Sequence, residues 1–217
     1  MPAKPPAALT LDLFGTLVDF SLVRDERPLV GDLLAEGDHE ADPDAVLDTW
    51  VQASLAERAR TPFRTVRASL VQGAGALARR HDLAIDPSYW ASALESLWAT
   101  RPLREDVAAA LEQVRSAGVP WAVVSNVDEP VLSALARRTG LRRAADAVVS
   151  SHQARAYKPH PRPFWMALDR LGVELGRAVH VGDCAGEDRA GAKAAGMRGT
   201  ILVEGSLTEA IAAALDP

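Results

Sequence analysis

With 217 residues, 48% hydrophobic and 24% charged, the chain can bury a sizeable core, as one domain with an insertion or as two small ones, and its composition excludes wholesale disorder. A formal charge of −5 argues against non-specific nucleic-acid binding, although a local basic patch can still hold a small anion. Cys184 is the sole cysteine, so no internal disulfide forms; residues 1–6 are too short and proline-rich for a signal peptide, no apolar run reaches the roughly 18 residues that span a membrane, and a cytoplasmic protein is expected.

Ala8–Leu11 is short and apolar and reads as a buried strand; it ends on Asp12, and Gly15 then permits a sharp turn. Between about residues 20 and 102 no buried strand is predicted. Helical spacing recurs instead over 44–60 (Val46, Leu47, Val51, Leu55), 63–80 (Val66, Leu70, Ala74, Leu77) and 88–98 (Trp90, Leu94, Leu97, Trp98), the last entered through Pro87. From Arg104 helices and strands alternate. Helices are expected over 106–117, 130–138, 161–171, 187–195 and 207–215, and strands over 121–124, 146–150, 178–181 and 199–203. Gly118, Gly140, Gly172 and Gly196 end the first four helices. Such alternation predicts an α/β fold with a parallel sheet and helices on both faces. The expected division is a core of residues 1–17 and 103–217 with an all-helical insertion of residues 18–102.

Four strands end on polar groups. Asp12 follows the first, Ser125-Asn126 the second, Lys158 the 147–150 region, and Gly182-Asp183 the fourth. The carboxyl ends of parallel strands share one edge, where ligands bind, so these groups should converge. Asp12-Leu13-Phe14-Gly15-Thr16, Ser125, Lys158-Pro159 and Gly182-Asp183…Asp188 resemble, in order, the four motifs of the haloacid dehalogenase superfamily of hydrolases, and the likeness covers the whole chain. It implies a Rossmann-like core with a helical cap that closes over the site. Because that superfamily contains phosphatases, dehalogenases and other transferases, the reaction has to be argued from the site.

Carried onto these residues, the resemblance makes Asp12 the nucleophile, which forms a covalent intermediate and divides one hard displacement into two easier ones. Thr16 and the amides around Gly15 hydrogen-bond the carboxylate or the transferring group, unless Thr16 is a turn hydroxyl only. Ser125 binds a phosphoryl or carboxylate oxygen, with Asn126 beside it; the bland reading of both is a helix cap. Lys158 neutralises the nucleophile and the substrate's charge. Asp12, Asp183 and Asp188 crowd like charges together, which a Mg²⁺ ion relieves by taking oxygen ligands, with the Phe14 backbone carbonyl among them. Otherwise the two later acids cap a helix. Phe14 departs from the phosphatase pattern, in which an acid at this position protonates the leaving oxygen. An aromatic residue there is what the two-carbon haloacid dehalogenases show, but they lack the Gly-Asp pair and need no metal.

Other features are expected to be structural. Gly73-Ala74-Gly75-Ala76-Leu77-Ala78 imitates a dinucleotide fingerprint but lies in a helical block and follows no strand. Cys184 reads as a small buried residue, His180 as a satisfied core histidine, and Glu187 as solvated; His152 and His160 receive no role. Arg58, Arg60, Arg64 and Arg67 form a solvated face, from which one or two arginines could reach an anionic substrate. The sequence thus predicts a Mg²⁺-dependent phosphatase acting on a small phosphorylated metabolite, without nucleic-acid or membrane partners. The alternatives are a metal-free 2-haloacid dehalogenase using the same Asp12, and a catalytically weak phosphate-binding protein.

Overall fold

Five strands, Ala8–Leu11 (β1), Trp121–Ser125 (β2), Ala147–Ser150 (β3), Ala178–Gly182 (β4) and Gly199–Leu202 (β5), form one parallel sheet in the order β3-β2-β1-β4-β5 in the computed structural model, which describes residues 5–20 and 26–216. Residues 1–4, most of the stretch weighed above as a leader, and residues 21–25 of the expected insertion lie outside the described residues. β1 is the central strand, with Leu9 opposite Trp121 on one side and Val179 on the other. Alternate side chains point to opposite faces of a strand. One face gathers Ala8, Val124, Val149 and Ala178 around Phe164 and Leu168, and the other buries Leu9, Leu11, Val123 and Val181 completely. Burial on both faces is why these strands read as continuous apolar runs.

The contacts divide into two compact units, residues 1–19 with 102–217, and residues 20–101. The second unit holds helices Arg27–Glu36 (α1), Pro43–Arg58 (α2), Val66–His81 (α3) and Pro87–Thr100 (α4). Asp42, Thr65 and Asp86 cap α2, α3 and α4 with side-chain oxygens. Trp50 and Trp90 lie tilted at 5.7 Å in its core, and the Trp50 indole N–H donates to the Leu70 carbonyl at 2.9 Å. A Cβ at Gly73 would run into Ser54 of α2, so this glycine of the false fingerprint serves close helix packing. α1 was not predicted, although Val30, Leu33 and Leu34 follow Pro28 at helical spacing and are buried.

The first unit adds helices Val107–Ala117 (α5), Glu129–Arg138 (α6), Leu141–Ala144 (α7), Ser151–Ala154 (α8), Arg162–Leu171 (α9), Ala190–Ala195 (α10) and Leu207–Leu215 (α11). The helix expected over 187–195 divides into a π-helical turn, Ala185–Arg189, and α10, because the amides of Asp188 and Arg189 both donate to the Cys184 carbonyl. Where the chain leaves and re-enters this unit, the Asp19 amide donates to Pro102 and the Arg104 amide to Leu17.

Candidate active site

Period-2 geometry puts Asp12 on the same face as Thr10, just past the end of β1, where its amide donates to the Val181 carbonyl of β4 at 2.9 Å. The chain then turns through Gly15, at φ +86°, whose amide bonds the Val18 carbonyl at 3.0 Å. A side chain at Gly15 would also collide with the Asp183 carboxylate, so both conformation and space demand glycine. The Thr16 hydroxyl is buried with no hydrogen-bond partner among the described residues. An orphaned buried hydroxyl carries a desolvation penalty that a bound oxyanion would remove.

Lys158 joins the first motif to the last. Its ammonium lies 2.5 Å from Asp12 Oδ1 and 2.6 Å from Asp188 Oδ1, and it is only 3% exposed. Asn126 holds the other end of this residue: its Oδ1 accepts from the Lys158 amide at 2.7 Å, and its Nδ2 donates to the Lys158 carbonyl at 3.0 Å. The same Nδ2 donates to Glu187 Oε2 at 2.8 Å. Glu187 is therefore tied into the site rather than solvated. Ser125, which ends β2, is 2% exposed and sits in register with Ser150.

Asp188 is fully buried and accepts four hydrogen bonds. Lys158 Nζ and His180 Nε2 (3.0 Å) approach Oδ1, and the amides of Asp183 (3.1 Å) and Cys184 (2.9 Å) approach Oδ2. Asp183 is exposed. One oxygen from each of Asp12, Asp183 and Asp188 lies within 4.8 Å of the others. A Cβ at Gly182 would strike Asp188, which explains the glycine of the Gly-Asp pair. Phe14, partly exposed, makes a bridge to Val18 and presents no ionisable group.

Charges here are unevenly distributed. Burial, then the charges of Asp188 and Asp183, push the Asp12 carboxyl up to about 7 against the pull of Lys158. Burial and Asp188 raise Asp183 as well. Burial would raise Asp188 too, but the His180 hydrogen bond and the Lys158 charge hold it well below the usual carboxylate range. Burial works to lower Lys158, yet the two carboxylates raise it further above its ordinary value, so it stays charged.

The remaining expectations come out unevenly. His180 is a fully buried, satisfied core histidine, but its partner Asp188 places it in the site's polar network, which the sequence reading missed. Cys184 is exposed, not buried: the π-helical turn engages its backbone and leaves its side chain outside. His152 lies 3.9 Å from buried Asp128, and His160 caps a turn through the Arg162 amide. In the helical unit Arg60 and Arg64 pair with Glu57, and Arg67 with Glu95.

A family model for haloacid dehalogenase-like hydrolases matches residues 6–196. The chain belongs to that family. Among relatives of this hydrolase, ribulose-1,5-bisphosphate 5-phosphatase of Halopiger xanaduensis is 33% identical over 124 residues, 57% of this chain and 50% of that protein. (S)-2-haloacid dehalogenase 4A of Burkholderia cepacia is 40% identical over 68 residues, 31% of this chain and 29% of the dehalogenase. The matched stretches thus span half or less of these relatives. Among solved structures, a dehalogenase superposes with a TM-score of 0.70 at 26% identity, covering 92% of this chain and 85% of that one. Among the described residues no helix is long and apolar enough to cross a membrane.

Proposed function

We propose that this hydrolase is a Mg²⁺-dependent phosphatase that transfers the phosphoryl group of a small anionic metabolite to Asp12. One observation carries the reading: oxygens of Asp12, Asp183 and Asp188 lie within 4.8 Å of one another while one ammonium pairs with Asp12 and Asp188, and burial and crowding leave Asp12 and Asp183 harder to ionise without a further cation. A hard divalent cation suits such an oxygen set. Asp12, Asp183 and the Phe14 carbonyl would hold it. Asp188, expected from the sequence among the ligands, already accepts four hydrogen bonds and serves better as the anchor of Lys158. When bound, Mg²⁺ neutralises charge on the phosphoryl oxygens.

The Asp12 carboxylate then attacks phosphorus, the ester P–O bond breaks, and water later hydrolyses the acyl phosphate. Lys158 stabilises oxygens that gain charge, and Ser125 and the Thr16 hydroxyl supply further donors. Phe14 cannot protonate the departing oxygen, so esters with acidic leaving groups are favoured. The helical unit supplies substrate selection as a cap, and the protein works in the cytoplasm.

Phe14 supports the second reading, a 2-haloacid dehalogenase in which Asp12 displaces halide from carbon, since halide leaves without a proton. A panel of phosphorylated metabolites with Mg²⁺, run beside a haloacid panel with chelator, separates the two. Phosphate release that requires Mg²⁺ is expected. Halide release in chelator with no phosphate release from any ester would overturn the phosphatase.

A further inference from the structure

We propose that His180, in the interior of β4, is a positioning residue that fixes Asp188 and thereby aims Lys158 at the nucleophile. In the β1–β4 register Thr10 lies opposite His180, and both are fully buried. Thr10 Oγ1 is 2.8 Å from His180 Nδ1, and His180 Nε2 is 3.0 Å from Asp188 Oδ1. Phe164 meets the imidazole edge-on at 5.0 Å, which leaves the ring little freedom to turn.

The proton's place follows by elimination. An ionised carboxylate only accepts, so Nε2 carries the hydrogen. Burial and the Lys158 charge work against a second proton on the ring, and together they outweigh the opposing pull of Asp188. In that tautomer Nδ1 is an acceptor, and the Thr10 hydroxyl, whose other neighbour is Met197 Sδ at 4.0 Å, is the donor that meets it. A polar line runs from Thr10 through His180, Asp188 and Lys158 to Asp12, with each hydrogen assigned.

The line also determines how the ammonium is shared. His180 and Lys158 meet the same oxygen of Asp188. The histidine hydrogen drains charge from that oxygen and weakens its hold on Lys158, leaving the ammonium available to Asp12. The two backbone amides on Oδ2 set the carboxylate's plane, and His180 sets its remaining direction. Without the histidine donor, Asp188 would draw Lys158 away from Asp12, and a small displacement of a charged group is enough to slow a reaction markedly.

The proposal takes from the functional reading only that Asp12 is the nucleophile, which holds for either substrate class. His180→Leu, His180→Gln and Thr10→Val in the full chain are compared on p-nitrophenyl phosphate with Mg²⁺ and on 2-chloropropionate with chelator. His180→Leu should lower kcat about 10–100-fold with little change in KM, the size seen for supporting hydrogen-bond partners. His180→Gln, whose amide can both donate to Asp188 and accept from Thr10, should recover most of the loss. Leucine and glutamine variants with equal kcat would overturn the proposal, as would a His180→Leu protein with wild-type kcat per folded molecule. If His180→Leu does not fold, the glutamine and Thr10→Val proteins decide it, with a kcat loss expected for Thr10→Val and wild-type kcat in both counting against it. Nitrogen-15 spectra of the imidazole give an answer without turnover. A protonated Nε2 and a bare Nδ1 are expected, and the opposite tautomer refutes the arrangement. A wild type that hydrolyses neither compound would count against the functional reading, while the imidazole pattern would still judge His180.

Discussion

As the proposed nucleophile Asp12 must be ionised to attack, yet burial raises it to about 7. Between its ordinary value of 3.8 and about 7, the folded chain keeps a proton that the unfolded chain has released, so stability falls as pH rises across that window, by at most about 1.4 kcal/mol per unit. Below 3.8 both states are protonated and above 7 both are ionised, so the slope vanishes at either end. Asp12→Asn should abolish turnover and also flatten this slope, gaining several degrees in Tm relative to wild type as the pH goes from 5 to 8. Wild-type rates in a folded Asp12→Asn protein would remove Asp12 from the mechanism. Phe14 invites the complementary test. Phe14→Asp would provide the missing proton donor and should accelerate an alkyl phosphate more than an aryl phosphate, provided the site tolerates the carboxyl. In a dehalogenase the same change would only slow halide release, by adding an anion beside Asp12.

The loops that follow the strands hold the site together by side-chain-to-backbone bonds. Asn126 grips the Lys158 peptide from both sides and is itself held by Glu187. Asn126→Ala should therefore lower kcat about tenfold or more and speed amide exchange at Lys158, read by hydrogen–deuterium exchange; unchanged exchange would mean the loop is held elsewhere. Gly15→Ala should lose activity through displacement of Asp183 as well as strain at positive φ. These contacts mark where sequence reasoning stopped. The strands were legible because each is a short apolar run, and their polar ends were legible because parallel strands share one carboxyl edge. Asp12, Ser125, Lys158 and Asp183 stand at or after such ends, and the structure brings Asp12, Lys158 and Asp183 together. Glu187 was not legible, since a glutamate's partner lies across a fold that sequence spacing does not measure. Thr10 and His180 left a faint sign, two polar residues inside otherwise apolar strands; counting by twos places Thr10 on the face of Asp12 and would have flagged the pair. The π-helical turn at 185–189 left none, because its residues suit an ordinary helix start equally well.

Cation binding and stability should be linked across the first unit. A divalent ion favours ionised Asp12 and Asp183, so added Mg²⁺ should raise Tm more at pH 8 than at pH 5, where protons compete for the same oxygens. Asp183→Asn should remove most of that increment, and calorimetric titration gives the matching loss of affinity. Equal Mg²⁺ effects at both pH values, or in both proteins, would mean that the ion binds elsewhere.

The sheet order also has a consequence in time. β1 leads into Asp12, the proposed nucleophile, but its neighbours are β2 and β4, which emerge only after the whole helical unit has been synthesised. Helices α2, α3 and α4, whose partners are near in sequence, can collapse early, while Ala8–Leu11 must wait for strands made much later. Until β4 arrives, Asp12 has neither the Val181 carbonyl that receives its amide nor the Asp188 anchor for its lysine. The nascent chain thus lacks the assembled site through most of its synthesis, and the docking of β4 beside β1, before edge strand β5 is added, is the step that supplies it.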